Sequence, residues 1–93
     1  MRFLQFCGVL RTAYYESVRA EIIRRLRDER KRLGLSNYAV AQRSGISEAM
    51  LSLVERGLRN PSLELILRIS DALEADLPQI IKAAQAGAAQ RRE

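Results

Sequence analysis

Apolar residues recur every three or four positions along most of this 93-residue chain, the period of helices with one buried face. Val18, Ile22, Leu26 and Leu33 form one such stripe with Ile23 beside it, while Arg and Lys fill the other faces. This predicts a first helix from about residue 18 to 33, stopped by Gly34. Two short helices follow over 37–44 and 48–56, and Gly57 ends the second. Leu58-Arg59-Asn60-Pro61 is a loop, since proline disfavours helix at the residue before it. Ser62 then caps a fourth helix over about 63–73, whose Leu63, Ile66, Leu67, Ile69 and Leu73 are expected to be mainly core. Asp76 caps a fifth helix from Leu77 to about Ala86, with Pro78 in its first turn, where proline is tolerated.

The ends depart from this pattern. In residues 1–17, Phe3, Phe6, Cys7, Leu10 and Tyr14 have the spacing of a short amphipathic helix, but Gly8 and Tyr14-Tyr15 weaken it. The segment can lie on the domain, on a partner, or in solution. Residues 18–86 form the domain, and 87–93 are expected to fray, although the AAQAGAAQ run is also compatible with a longer fifth helix.

Residues 36–57, SNYAVAQRSGISEAMLSLVERG, carry the most information. Ser36 can cap the first of the two short helices and Ser47 the second. Ala41 is small where the helices must touch, and Gly45 follows the last helical residue, where a left-handed backbone favours glycine. Leu51 and Val54, three apart, give the second short helix a single buried stripe. Two helices on a tight turn with these contacts make a helix-turn-helix, a motif that presents its second helix to the DNA major groove.

Charge sharpens the picture. The net charge is +5, and 12 of the 16 Lys/Arg but only 6 of the 11 Asp/Glu lie in residues 1–59. A basic half beside a near-neutral half suits one face against a polyanion and another for a different contact. One cysteine and no histidine leave no internal disulfide, no cysteine-based metal site and no usual proton-transfer residue. No metal or other cofactor is expected, and no nucleophile constellation or phosphate-cradling glycine loop points to an enzyme. No apolar run approaches the length of a membrane span, and Phe3–Leu10 is too short and interrupted for a signal peptide. A cytoplasmic protein is the expectation.

The five helices resemble the lambda-repressor/Cro-like, or Xre-type, DNA-binding domains. The resemblance rests on Leu26 with Arg30, Gly34-Leu35-Ser36, Ala41, Gly45-Ile46-Ser47, Leu51-Ser52, Val54-Glu55-Arg56-Gly57, Asn60-Pro61-Ser62-Leu63, and Ile69 with Ala72-Leu73. It covers about residues 20–84 and implies an all-α, compact five-helix domain. It also implies that Ser47, Glu48, Ala49, Ser52 and Leu53 face the bases. The chemistry there is thin: serines bond to several bases, a glutamate accepts from cytosine, and an alanine touches a thymine methyl. The strongest readers, Arg on guanine and Gln or Asn on adenine, are missing from these positions.

Asn37 stands where the family usually has glutamine, at a helix N-terminus suited to a phosphate. Arg43, Arg56, Arg59 and Asn60 flank the groove-facing helix and complete the expected phosphate contacts. Arg24, Arg25, Arg27, Lys31 and Arg32 are expected to face solvent. Arg30 and Glu55 match a family pair that ties the third helix to the first, a structural role. Leu65, Leu77, Ile80, Ile81 and Ala84 are the candidates for a homodimer contact, although some of them must close the domain's own core.

These features point to a dimeric, sequence-specific regulator of transcription on a palindromic double-stranded operator, acting as a repressor or autoregulator. The competing class is a protein-interaction adaptor or antitoxin-like module on the same fold, which the weak base-reading set and the apolar N-terminal segment favour.

Overall fold

The computed structural model describes the backbone of residues 2–92 and the side chains of residues 11–88. Five helices follow one another: α1 (Arg2–Arg32), α2 (Asn37–Ser44), α3 (Glu48–Glu55), α4 (Leu63–Leu73) and α5 (Leu77–Arg92), with no strand among the described residues.

Local chemistry sets most of the boundaries. The Ser36, Ser47 and Ser62 hydroxyls accept the backbone N–H groups of Ala39, Met50 and Leu65 at 3.0, 3.0 and 3.1 Å. Each satisfies a donor that the first turn of a helix otherwise leaves unpaired. Asp76 Oδ1 accepts the Gln79 N–H at 3.2 Å and opens α5 in the same way. Gly45 closes α2 with φ +75°, its N–H donating to Ala41 O at 3.0 Å.

The core joins Ile22, Ile23 and Leu26 of α1, Val40 of α2, Leu51 and Val54 of α3, Ile66, Ile69 and Leu73 of α4, and Leu77 and Ala84 of α5. α1 packs along α5 and α2 across α4, while α3 is wedged against both α1 and α2. Ala84 and Ala88, four apart and both buried, present only methyl groups and let α5 lie closely on the bundle.

Several expectations are corrected. The first helix begins at Arg2, not near Val18: no proline interrupts the segment, and one glycine costs a helix only about 1 kcal/mol. Its 31 residues at about 1.5 Å each give roughly 46 Å, close to the longest molecular dimension of 48 Å. The stripe of Phe3, Phe6, Cys7 and Leu10 lies outside the residues whose side chains are described. At the other end α5 runs through Gly87 to Arg92 instead of stopping near Ala86.

Leu33 is 41% exposed because it follows the last helical residue. The chain then turns back, with Leu35 N–H donating to Arg30 O at 3.0 Å, and Leu35 packs on the core in its place. Leu63 and Leu67 are likewise exposed, at 67% and 46%. They lie one turn apart on an edge of α4 that the Ile66–Ile69–Leu73 face leaves outside. Leu65, a candidate for the homodimer contact, is half-buried and packs partly on the core. Finally, Leu77 and Ala84 close the protomer's own core, at 7% and 0% exposure, and cannot serve a subunit contact. Ile80 and Ile81 remain half-buried beside it.

Candidate nucleic-acid interface

The orientation of α3 is fixed from two sides. Leu51 and Val54 are buried to 0% and 1% exposure and pin its inner face. At its end, Arg30 Nε and Nη2 donate to Glu55 Oε2 and Oε1 at 2.8 and 2.9 Å, a two-pronged pair with little solvent on either side chain. Arg30 Nη1 also donates to Leu35 O at 2.9 Å, so one guanidinium ties α1, the α1–α2 turn and α3 together. Paired charges in planar register are the stronger kind of hydrogen bond. Behind α2, Arg68 Nη1 donates to Ser44 O at 3.2 Å while its Nε holds Glu64 at 3.0 Å, which fastens α2 to α4.

This scaffold leaves the outer face of α3 open. Ser47, Glu48 and Ala49 are exposed, and Ser52 and Leu53 are half-exposed. Ser47 uses its oxygen for the cap, which leaves its O–H as a donor. Ala49, Ser52 and Arg56 follow at helical spacing, so one line runs from the tip of α3 to the loop beyond it.

Around this face, Arg43, Arg56, Arg59 and Asn60 are exposed. None of the three arginines has an ion-pair or hydrogen-bond partner among the described residues. Asn37 is half-buried at the start of α2, its Oδ1 buried without a donor among the described residues.

The α1 arginines divide into two groups. Arg24 is held by Glu21 and by Asp28 at 3.1 Å, Arg25 lies 3.4 Å from Glu21, and Arg32 binds Glu29. The hydrogen bond from Arg32 holds the Glu29 carboxyl below its ordinary range, and the bond to Glu21 raises Arg24 above its own. Arg19 and Arg27 have no such partner among the described residues. They turn instead into a cleft of about 260 Å³ between α1 and the α3–α4 loop, whose walls include Ile23, Arg56, Arg59 and Asn60. The signal was available in the spacing: positions 19, 23, 27 and 30 share one face of α1, and Arg30 already marks it as the face toward α3.

A compact all-α bundle with an outward-facing second helix in a helix-turn-helix defines a class of DNA-binding fold. The helix-turn-helix family model HTH_3 matches residues 26–80, more than half of the chain, and the protein belongs to this lambda-repressor-like family. The chain is 44% identical over 48 residues to an uncharacterised HTH-type transcriptional regulator, Rv0474, of Mycobacterium tuberculosis, a stretch covering 52% of this chain and 34% of that protein. It is 40% identical over 55 residues to the HTH-type transcriptional regulator SlrR of Bacillus subtilis, covering 58% and 36%. An uncharacterised HTH-type transcriptional regulator of Haemophilus influenzae matches at 32% over 53 residues, covering 57% and 54%. The matched stretches thus span about a third to a half of these relatives. No solved structure gives a significant match. Among the described residues no helix is long and apolar enough to cross a membrane.

Proposed function

We propose that this protein is a sequence-specific double-stranded DNA-binding regulator of transcription, acting as a homodimeric repressor on a palindromic operator. The observation that carries this reading is the exposed outer face of α3 bordered by Arg43, Arg56 and Arg59, which are unpaired among the described residues. The relatives named as transcriptional regulators match a little over half of this chain.

In this reading α3 lies in the major groove with Ser47, Glu48, Ala49, Ser52 and Leu53 toward base edges. Asn37, Arg43, Arg56, Arg59 and Asn60 hold the phosphates on either side. Phosphate contacts set register and most of the affinity, while base contacts specify. With two serines, a glutamate, an alanine and a leucine as readers, DNA shape and deformability must carry much of the selectivity. Two recognition helices on half-sites about one helical turn apart then supply the rest. The dimer contact uses the half-buried Ile80, Ile81 and Leu65.

Fluorescence anisotropy with the gene's own upstream DNA over a salt series tests the reading. Roughly six phosphate contacts per dimer give a slope of log affinity against log salt of about −5. A flat response on every fragment overturns it. The second reading, a protein-binding module on the same fold, then gains from the exposed Leu58, Leu63 and Leu67.

A further inference from the structure

We propose that the cleft between α1 and the α3–α4 loop is a phosphate-binding site, with Arg19 and Arg27 of α1 as its inner wall and Arg56, Arg59 and Asn60 as its rim. This extends the DNA-binding reading above, and rests on it, by adding a region of α1 to the contact surface.

The charge balance inside the cleft is one-sided. Five arginines line it, Arg19, Arg24, Arg27, Arg56 and Arg59, against the single carboxylate of Glu55. Glu55 has both oxygens engaged by Arg30, and Arg24 is neutralised by Glu21 and Asp28. Four arginines therefore line the cleft with no counter-charge from the described residues. Arg27 Nε is also buried with no acceptor, a donor that costs free energy until an oxygen reaches it. Guanidinium forks match phosphate oxygens in planar, two-pronged geometry.

Position favours the DNA backbone as the phosphate source. Arg56 belongs both to the cleft and to the Ala49–Ser52 line on α3, so the cleft opens where that line ends. A strand passing the C-terminal end of α3 meets Arg56 and Arg59 first, and Arg27 and Arg19 behind them. The backbone N–H groups of Gly57 and Leu58 already donate to Val54 O and Leu53 O at 3.1 and 2.9 Å, so side chains supply the free donors. A free polyphosphate is the other source of the same chemistry.

The test compares Arg27→Gln and Arg19→Gln with Arg32→Gln, which removes an equal charge from α1 outside the cleft, and with Arg43→Gln on α2. Circular dichroism checks that each variant is folded. Against DNA, the Arg27 and Arg19 variants are expected to reduce the steepness of the salt slope by about 0.9 for each phosphate no longer held, and Arg32→Gln to leave it unchanged. In a parallel arm, pyrophosphate is titrated into the labelled wild type while the arginine Nε–H resonances are followed by NMR. Saturable shifts at Arg27 and Arg19 without any DNA binding would keep the site, assign it to a free polyphosphate, and remove the DNA reading. DNA binding that Arg43→Gln weakens, with the Arg27, Arg19 and Arg32 variants indistinguishable and pyrophosphate silent, would overturn the cleft and leave the DNA reading standing.

Discussion

Arg30 and Glu55 are 25 positions apart in the chain, yet they meet through two parallel hydrogen bonds of 2.8 and 2.9 Å, with side chains only 13% and 11% exposed. The pair sets the angle between α1 and the helix that presents the candidate DNA-facing residues. Removing one member strands the other charge in a poorly solvated place. Glu55→Ala is therefore expected to lower stability by about 3 to 5 kcal/mol. An Arg30→Met/Glu55→Leu double variant should lose much less than the two single changes combined, because no charge is left unpaired. Urea unfolding of Glu55→Ala, the double variant and its two component single variants measures both quantities, and a loss below about 1 kcal/mol for Glu55→Ala would place the pair among ordinary surface ion pairs.

Gly45 and Gly57 separate two effects of adding a methyl group. Both have left-handed backbones, at φ +75° and +76°, but a Cβ at Gly57 meets nothing within 4 Å, whereas one at Gly45 comes to 3.2 Å from Arg68 Nη1. Gly57→Ala should cost about 1 to 2 kcal/mol for the backbone alone. Gly45→Ala should cost about 1 kcal/mol more, since Arg68 must give up its bond to Ser44 O. Thermal melts of the two variants side by side give the difference; equal losses would show that Arg68 moves aside freely.

Ser47 and Ser62 perform the same capping task on α3 and α4. Replacing either by alanine should destabilise the domain by about 1 kcal/mol. Only Ser47→Ala should also change which DNA sequences bind, because only Ser47 lies at the tip of α3. A binding-site selection performed on both variants distinguishes the roles, and identical selected sequences would remove Ser47 from the base-facing set.

The proposed subunit contact makes a further demand on helix surfaces. Leu77→Asp should unfold the protomer, since Leu77 is part of its core. Ile81→Asp should instead give a folded monomer that loses affinity for a palindrome. Light scattering at tens of micromolar, with circular dichroism on the same samples, is sufficient. A dimer that survives Ile81→Asp but falls apart with Leu67→Asp would move the contact to the exposed edge of α4.

The features legible in the chain are those that local physics controls. Ser36, Ser47 and Ser62 cap their helices through atoms three residues away, and Gly45 adopts the left-handed backbone expected of it, as do the helix-ending Gly34 and Gly57. The buried stripe of Leu51 and Val54 also follows from spacing within one helix, and with it the identity of the outward face of α3. Other features depend on what packs from a distance, and these emerged only with the folded bundle. Leu63, Leu65 and Leu67 are alike in the chain, but the direction of the α4 core turns the middle one inward and its neighbours out. Ala84 is buried because α1 lies along α5, a contact between segments some sixty residues apart. The arginines of α1 differ in the chain itself, with a carboxylate one turn from Arg24, Arg25 and Arg32 but none from Arg27. That the unpaired Arg27 meets Arg56 and Arg59 across a cleft depends on where the α3–α4 loop comes to rest. That position is set by burial of the whole core rather than by any residue near Arg27.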